Sequence, residues 1–306
     1  MNRKKLTLIA AVVITPLLFS SSPIVSKILL QQFPPFSVAF LRFLIAALVI
    51  MPFWAHKALQ VPKWHLLLIP TMLFGTANIT LFIIGINLTI PNASQVIYTA
   101  TPLVVILFSH FFLDERLTIR KLNGIIIGLI GAVSILVLPA IRYNEAVIGN
   151  LYGNTLIAIA MLTWAGYTIS SRHISTKYHY SPLFLTGLSM ITTMLILGTL
   201  SFLFDDWHIV VQHITFTTFL LICYCGIGTT IATYFLYQWI IKHASATTAS
   251  LNAYLQPPFG FFYAWLFLGT PLSWEFIVGT IITFIGVYLA TSGKISKKEL
   301  LILPQE

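Results

Sequence analysis

The chain has 306 residues, of which 58% are hydrophobic, 14% aromatic and only 8% charged, with a mean hydropathy of +0.91. A soluble domain carries roughly 25% charged residues, so too little polar surface remains for a water-soluble enzyme, a nucleic-acid binder or a secreted disulfide scaffold. Seventeen Lys and Arg against eight Asp and Glu give a net charge of +9, but these bases are sparse and sit at the ends of apolar runs, which ties the charge to a membrane rather than to nucleic acid.

A bilayer core of about 30 Å takes roughly 20 apolar residues per helix. Ten runs of that kind follow one another, at 6–29, 36–55, 64–88, 92–113, 121–140, 150–171, 181–204, 215–241, 246–268 and 272–292. They are continuously apolar, without the period-two alternation of barrel strands. The predicted fold is an all-α integral membrane protein with ten transmembrane helices. Short polar or Pro-rich breaks separate them, such as Gln31-Gln32-Phe33-Pro34-Pro35 and Asp114-Glu115-Arg116.

The first run follows the basic start Arg3-Lys4-Lys5 and reads as an uncleaved first helix. It holds Ser20-Ser21-Ser22-Pro23. Pro23 frees the carbonyl four residues back, which either faces a cavity or marks a packed kink. Lys27 near its end either snorkels or caps helix-end carbonyls, or draws in an anion. The second run carries Arg42 about six residues in. With no carboxylate in the central part of any run, Arg42 either receives a substrate carboxylate or braces the fold. The third run holds Asn78, and the fourth Tyr98, Pro102 and His110, the last a proton relay or a hydrogen-bonded structural histidine. In the fifth, Gly124, Gly128 and Ala132 form a small-residue ridge that serves the scaffold or a homodimer, the scaffold being favoured.

The sixth run contains Trp164 and Tyr167. The eighth contains Tyr234, Tyr237 and Gln238, with Cys223 and Cys225 too far apart around the helix for a metal pair. The ninth contains Asn252, Gln256 and the Pro257-Pro258 pair. Intramembrane polar residues are costly and mark pathways, and a small-molecule pocket wants aromatic walls with few polar anchors. The expected substrate-lining set is therefore Ser21, Arg42, Asn78, Tyr98, Trp164, Tyr167, Tyr234, Gln238, Asn252 and Gln256. Pro23, Pro102 and Pro257 are the expected hinges. No catalytic residue, metal-ligand set or cofactor is expected.

The chain repeats itself. At an offset of 155, residues 93–134 lie on 248–289 without a gap: Pro102 meets Pro257, Phe112-Leu113 meets Phe267-Leu268, Gly124 meets Gly279 and Gly131 meets Gly286. A second offset, 145, sets Phe19 on Trp164 and Lys27 on Arg172. The predicted organisation is a first five-helix repeat at 1–140, a linker at 141–149, a second repeat at 150–292 and a tail at 293–306. Five is odd, so the second copy enters from the opposite face. Inverted repeats of this kind are a transporter architecture, with the site between the halves and access alternating by rocking. With the N-terminus in the cytoplasm, 14 of the 17 Lys and Arg fall on that side. Both termini are then cytoplasmic, and the expected location is the bacterial inner membrane.

Residues Ala244 through Pro258 (ASATTASLNAYLQPP), then Leu268-Gly269 and the glycines 279 and 286, resemble the EamA-type members of the drug/metabolite transporter superfamily. So do Leu113 through Leu117 (LDERL), followed by Gly124 and Gly131, and Arg42 early in the second run. The likeness spans about residues 8–292. It departs at Phe19-Ser20, where the family has Trp-Gly, although the second copy keeps Trp164. It departs again at Thr270, the repeat mate of Glu115. The resemblance implies a ten-helix inverted-repeat carrier, often an exporter of amino acids or related metabolites.

The expected function is a secondary transporter of small metabolites, exporting amino acids or related compounds by alternating access. The alternatives are an uptake carrier for a cofactor-like nutrient and an intramembrane enzyme. The enzyme would need a nucleophile and base, which a Ser20–His110 contact would supply. The expected partners are a small-molecule substrate and the lipid bilayer, with no nucleic acid and with a homodimer left open.

Overall fold

The computed structural model describes residues 3–58, 67–113, 115, 117–142, 149–268 and 273–291. Lys63, Arg116, Thr270, Lys294, Lys297, Lys298, most of the linker 141–149 and the whole tail 293–306 lie outside the described residues.

The described residues form α-helices and one π-helical turn, with no strand among them. The first run folds as α1 (Arg3–Phe19) and α2 (Ser22–Leu29). Next come α3 (Pro35–Ala58) and α4 (Leu68–Leu88). The fourth run divides into α5 (Pro91–Tyr98) and α6 (Thr101–Leu113). The fifth, sixth and seventh are α7 (Ile119–Arg142), α8 (Leu151–Lys177) and α9 (Pro182–Phe204). A short α10 (Trp207–Gln212) leads to α11 (Phe216–Gly226), which passes through a π-helical turn (Ile227–Ala232) into α12 (Thr233–His243). The ninth run divides into α13 (Ala246–Ser250) and α14 (Asn252–Leu268), and α15 (Trp274–Thr291) closes the bundle.

Among the described residues, eight segments are long and apolar enough to cross a membrane, against the ten expected. Both shortfalls have a physical cause. Helix α8 has 27 residues, but its middle buries Trp164, Tyr167, Thr168, Ser171 and Arg172 against other helices. A helix that faces protein rather than lipid does not need an apolar surface. The ninth run, α13 with α14, carries Asn252, Gln256 and the Pro257-Pro258 pair, which lower its apolarity.

The breaks follow local chemistry. Between α1 and α2, Pro23 cannot donate to the carbonyl of Phe19, and the hydroxyls of Ser20 and Ser21 turn back to the carbonyls of Leu17 and Leu18 at 3.0 and 2.8 Å. Between α5 and α6, Pro102 likewise frees the Tyr98 carbonyl, and Thr101 Oγ1 donates to it at 2.6 Å. In the ninth run the break lies six residues before Pro257, which sits inside α14. The chain turns at Leu251 through a tight bond from Tyr254 N to the Leu251 carbonyl at 3.1 Å. Pro257 is therefore not the point of unwinding that its repeat mate Pro102 marks.

Helix starts are capped from the sequence. Asn150 accepts from Gly153 N, Ser181 from Phe184 N and Ser245 from Thr248 N, while Thr215 and Thr218 cap each other reciprocally.

Three helix pairs carry the packing: α3 along α9, α4 along α8, and α7 along α15. The last pair approaches backbone to backbone. A methyl group on Gly286 would overlap the backbone N of Gly128, and one on Gly131 would sit 2.5 Å from Thr283 N. The small-residue ridge of α7 is thus covered by α15 of the same chain. Large apolar side chains such as Phe53, Phe111, Phe202 and Tyr288 stay exposed around the outside, where acyl chains would meet them.

Candidate functional site

Near the mid-length of the long helices lies a cavity of about 720 Å³, the open solvent at its mouth included. Its walls come from most of the bundle. Phe19 is on α1, Ser22 and Pro23 on α2, Arg42 on α3, and Asn78, Ile79 and Phe82 on α4. Ser94, Gln95 and Tyr98 belong to α5 and Thr101 to α6. Trp164 comes from α8, Tyr234 and Tyr237 from α12, Ser250 from α13, and Asn252, Ala253 and Gln256 from α14.

Arg42 is 4% exposed. Its Nε donates to Thr230 Oγ1 at 3.0 Å, its Nη1 to Ser22 Oγ at 3.3 Å and its Nη2 to the Thr229 carbonyl at 3.5 Å. Among the described residues no carboxylate lies within ion-pair distance of it. A buried guanidinium held only by neutral acceptors keeps most of its attraction for an anion.

Part of the wall is aromatic. Trp164 stacks on Tyr167 with centroids 5.2 Å apart and meets Tyr237 at 4.9 Å, Tyr234 at 5.5 Å and Phe19 at 6.2 Å. Such faces suit an apolar side chain or a cation. Asn78 Nδ2 donates to Tyr98 OH and to the Ala160 carbonyl, each at 2.7 Å, and so ties α4 to α5 and α8. Asn252 is buried, lines the cavity, and its Oδ1 has no hydrogen-bond partner among the described residues.

Seven expected residues therefore meet at one cavity: Arg42, Asn78, Tyr98, Trp164, Tyr234, Asn252 and Gln256, with Pro23 beside them. Three do not reach it. Ser21 turns away to Leu18 and to Tyr224 OH at 2.7 Å, and its neighbour Ser22 faces the cavity instead, because one residue rotates a helix by about 100°. Tyr167 and Gln238 are buried one layer behind Trp164. Gln238 Nε2 donates to Tyr167 OH at 2.7 Å and to Ser171 Oγ at 2.9 Å, and Tyr167 OH also meets Ser189 Oγ. Both brace the wall. Of the expected hinges, Pro102 and Pro257 do not line the cavity. Phe19, Ser22 and Tyr237 were outside the expected set; the aromatic offset of Phe19 on Trp164 was the signal available for the first.

The two cations matched by the 145 offset do the same work. Lys27 Nζ donates to the carbonyls of Ile86, Asn87 and Thr89 at the end of α4. Arg172 Nη1 donates to the carbonyls of Ile241 and Lys242 at the end of α12. Lys27 is thus a helix cap and not an anion receptor. Arg172 also pairs with Glu115 at 3.8 Å, and Glu115 accepts from Ala246 N and Thr247 Oγ1 at the start of α13. Arg142 ends α7 and pairs with Glu275 at 2.7 Å. His110 is exposed, with Nδ1 3.3 Å from the Glu115 carbonyl, while Ser20 bonds within its own helix. These two do not form a nucleophile and base.

Apolar spans gathered round a shared, partly polar cavity define a multi-pass membrane protein. The chain belongs to the EamA-like transporter family, whose sequence pattern matches residues 6–137 and again 151–292. It is similar to YoaV of Bacillus subtilis (strain 168), named as an uncharacterized transporter: 23% identical over 274 residues, covering 87% of this chain and 90% of that protein. It is 24% identical over 280 residues to YedA of Escherichia coli (strain K12), named as an uncharacterized inner membrane transporter, covering 89% of this chain and 85% of YedA. A solved crystal structure matches the fold with a TM-score of 0.73 at 19% identity, over 94% of this chain and 96% of that one. The protein is a transporter of this family.

Proposed function

We propose that the chain is a ten-helix secondary carrier, built from two inverted five-helix repeats, that exports amino acids or related compounds. The observation that carries this reading is the cavity itself. It takes walls from runs one to four and from runs six, eight and nine, so that rocking one half against the other would open it to either side.

Contacts that recur in repeat-related pairs support the inversion. Helix α4 packs on α8 and α1 on α12; α6 packs on α8 and α1 on α14; α3 with α9 and α7 with α15 are each their own mates. In the last pair Gly124 faces Gly286 while Gly131 faces Gly279, the reciprocal pattern of a two-fold axis. The capping of α4 by Lys27 and of α12 by Arg172 follows the same rule, as does the double match of the family pattern.

The residues that line the cavity support this cargo class. Arg42 offers a fork to a carboxylate. The Trp164 wall offers a π face to an ammonium group. Export is the direction that the family resemblance implies. The distribution of Lys and Arg supports cytoplasmic termini, and the name of YedA supports an inner membrane.

The test is counterflow of a labelled mixture of the twenty protein amino acids in right-side-out and inside-out vesicles. Carrier-dependent exchange, with net movement toward the outer face, is expected. No movement above empty vesicles for the whole mixture would remove amino acids as the cargo.

A further inference from the structure

The π-helical turn Ile227–Ala232 lies beside Arg42, the one cation among the described residues that lines the cavity. Turns of this kind sacrifice hydrogen-bond geometry and recur at functional sites. We infer that this turn aims Arg42, and that Thr230 is the positioning residue which presents the outer edge of the guanidinium to the cargo carboxylate. The inference rests on the proposed reading of Arg42 as carboxylate receptor.

The geometry runs through a single hydroxyl. Thr230 Oγ1 donates to the Cys225 carbonyl, five residues back, at 2.7 Å. Its proton is thereby committed, and its lone pairs turn to the Nε–H of Arg42 at 3.0 Å. In a plain α-turn the residue five positions on would be rotated away from that carbonyl; the widened turn brings it over. The bond at Nε is the shortest that the guanidinium makes. The bonds at Nη1 and Nη2 are stretched to 3.3 and 3.5 Å. The Nε side is therefore taken, and the Nη1–Nη2 edge is the pair left for two parallel bonds to a carboxylate.

The approach of the turn to α3 depends on Gly226. A Cβ there would stand 2.7 Å from Ile45 Cβ and 2.9 Å from the Arg42 carbonyl. Thr229, Thr230 and Thr233 are fully buried, and each hydroxyl bonds to a carbonyl of its own helix. Only Thr230 also reaches Arg42 through its side chain.

The experiment is proteoliposome counterflow with the labelled amino-acid mixture and, separately, with the corresponding carboxamides. The variants are Thr230→Val, which keeps the shape without the hydroxyl, Thr230→Ser, which keeps the hydroxyl, and Arg42→Gln as reference. Loss of one bond to a charged group should raise the half-saturating acid concentration about tenfold in Thr230→Val, with the maximal rate little changed. The amides should be unaffected, and Thr230→Ser should transport like wild type. Equal effects on acids and amides, a fall in maximal rate alone, or a Thr230→Ser protein as impaired as Thr230→Val would overturn the inference. If Thr230→Val does not fold, Thr230→Cys carries a weaker acceptor at similar size. It should shift the acids alone by a smaller factor, and an unshifted acid value in that variant would overturn the inference too. Arg42→Gln separates the two levels. A selective loss of acids in Arg42→Gln with none in Thr230→Val removes Thr230 only, whereas an unselective loss removes the parent reading as well.

Discussion

Individual residues divide into those that touch the cavity and those that hold the ones that do. Asn78 is both, because it lines the cavity and its amide joins Tyr98 OH to the Ala160 carbonyl. Tyr98→Phe keeps the ring and removes one of the two bonds. Within a membrane such a bond is worth about 0.6 kcal/mol on average, so thermal stability in detergent should fall only slightly. Counterflow should fall further, because α5 loses its tie to α4 at the cavity wall. A large stability loss with unchanged turnover per folded molecule would make Tyr98 a structural residue. Sequence alone could single out Arg42, Asn78, Tyr98, Trp164 and Asn252, since polar and aromatic groups inside apolar runs have few reasons to be there. It could not separate Ser21 from Ser22, because the break after Phe19 sets which of the two turns inward. Nor could it see that Gln238 spends its amide on Tyr167 and Ser171.

At the scale of elements, the apolar runs were legible because lipid forces every backbone group into internal bonds. The two runs that fall short as spans are the one carrying Asn252, Gln256 and two prolines, ending in α14, and α8, which is buried in protein. The π-helical turn had no signature, since Ile227–Ala232 reads like any apolar segment. Pairing across the bundle was also hidden. Glu115 joins Arg172 and the start of α13, and so fastens three segments at one end of the molecule. Glu115→Gln keeps hydrogen-bonding capacity but removes the charge. It should loosen that end and raise the labelling rate of an Ala249→Cys reporter, a residue fully buried in this state. An unchanged rate would assign Glu115 to simple capping. The contact of α7 with α15 is the opposite case, a fixed seam. Gly286→Leu would force the backbones apart and should cost about 1–3 kcal/mol, read as early unfolding in a thermal melt. A normal melt would mean that the seam can open.

Across the whole molecule, two helix ends carry different fasteners. Lys27 and Arg172 cap matched helices, but only Arg172 adds an ion pair with Glu115. The proposed orientation is read by cysteine labelling in a background lacking Cys223 and Cys225. Gln212→Cys should react from outside intact cells, and Thr118→Cys only after permeabilisation. The reverse pattern would invert the orientation and with it the meaning of export. Among the described residues no Asp, Glu or His lines the cavity, so no group there changes charge between pH 5 and 8. Counterflow should therefore vary by less than about twofold across that range, and a steep pH dependence would require a titrating group elsewhere on the path.

The central claim is that one cavity, shared by both halves, holds the cargo through its carboxylate at Arg42. The most direct test is the ratio of amino-acid to carboxamide counterflow in proteoliposomes containing wild-type or Arg42→Gln protein, at equal amounts of folded carrier. A guanidinium–carboxylate fork contributes at least as much as a charged hydrogen bond. The ratio should thus fall about tenfold or more in Arg42→Gln, with Arg42→Lys between the two and amide counterflow nearly preserved. An unchanged ratio in a folded Arg42→Gln carrier would contradict the claim.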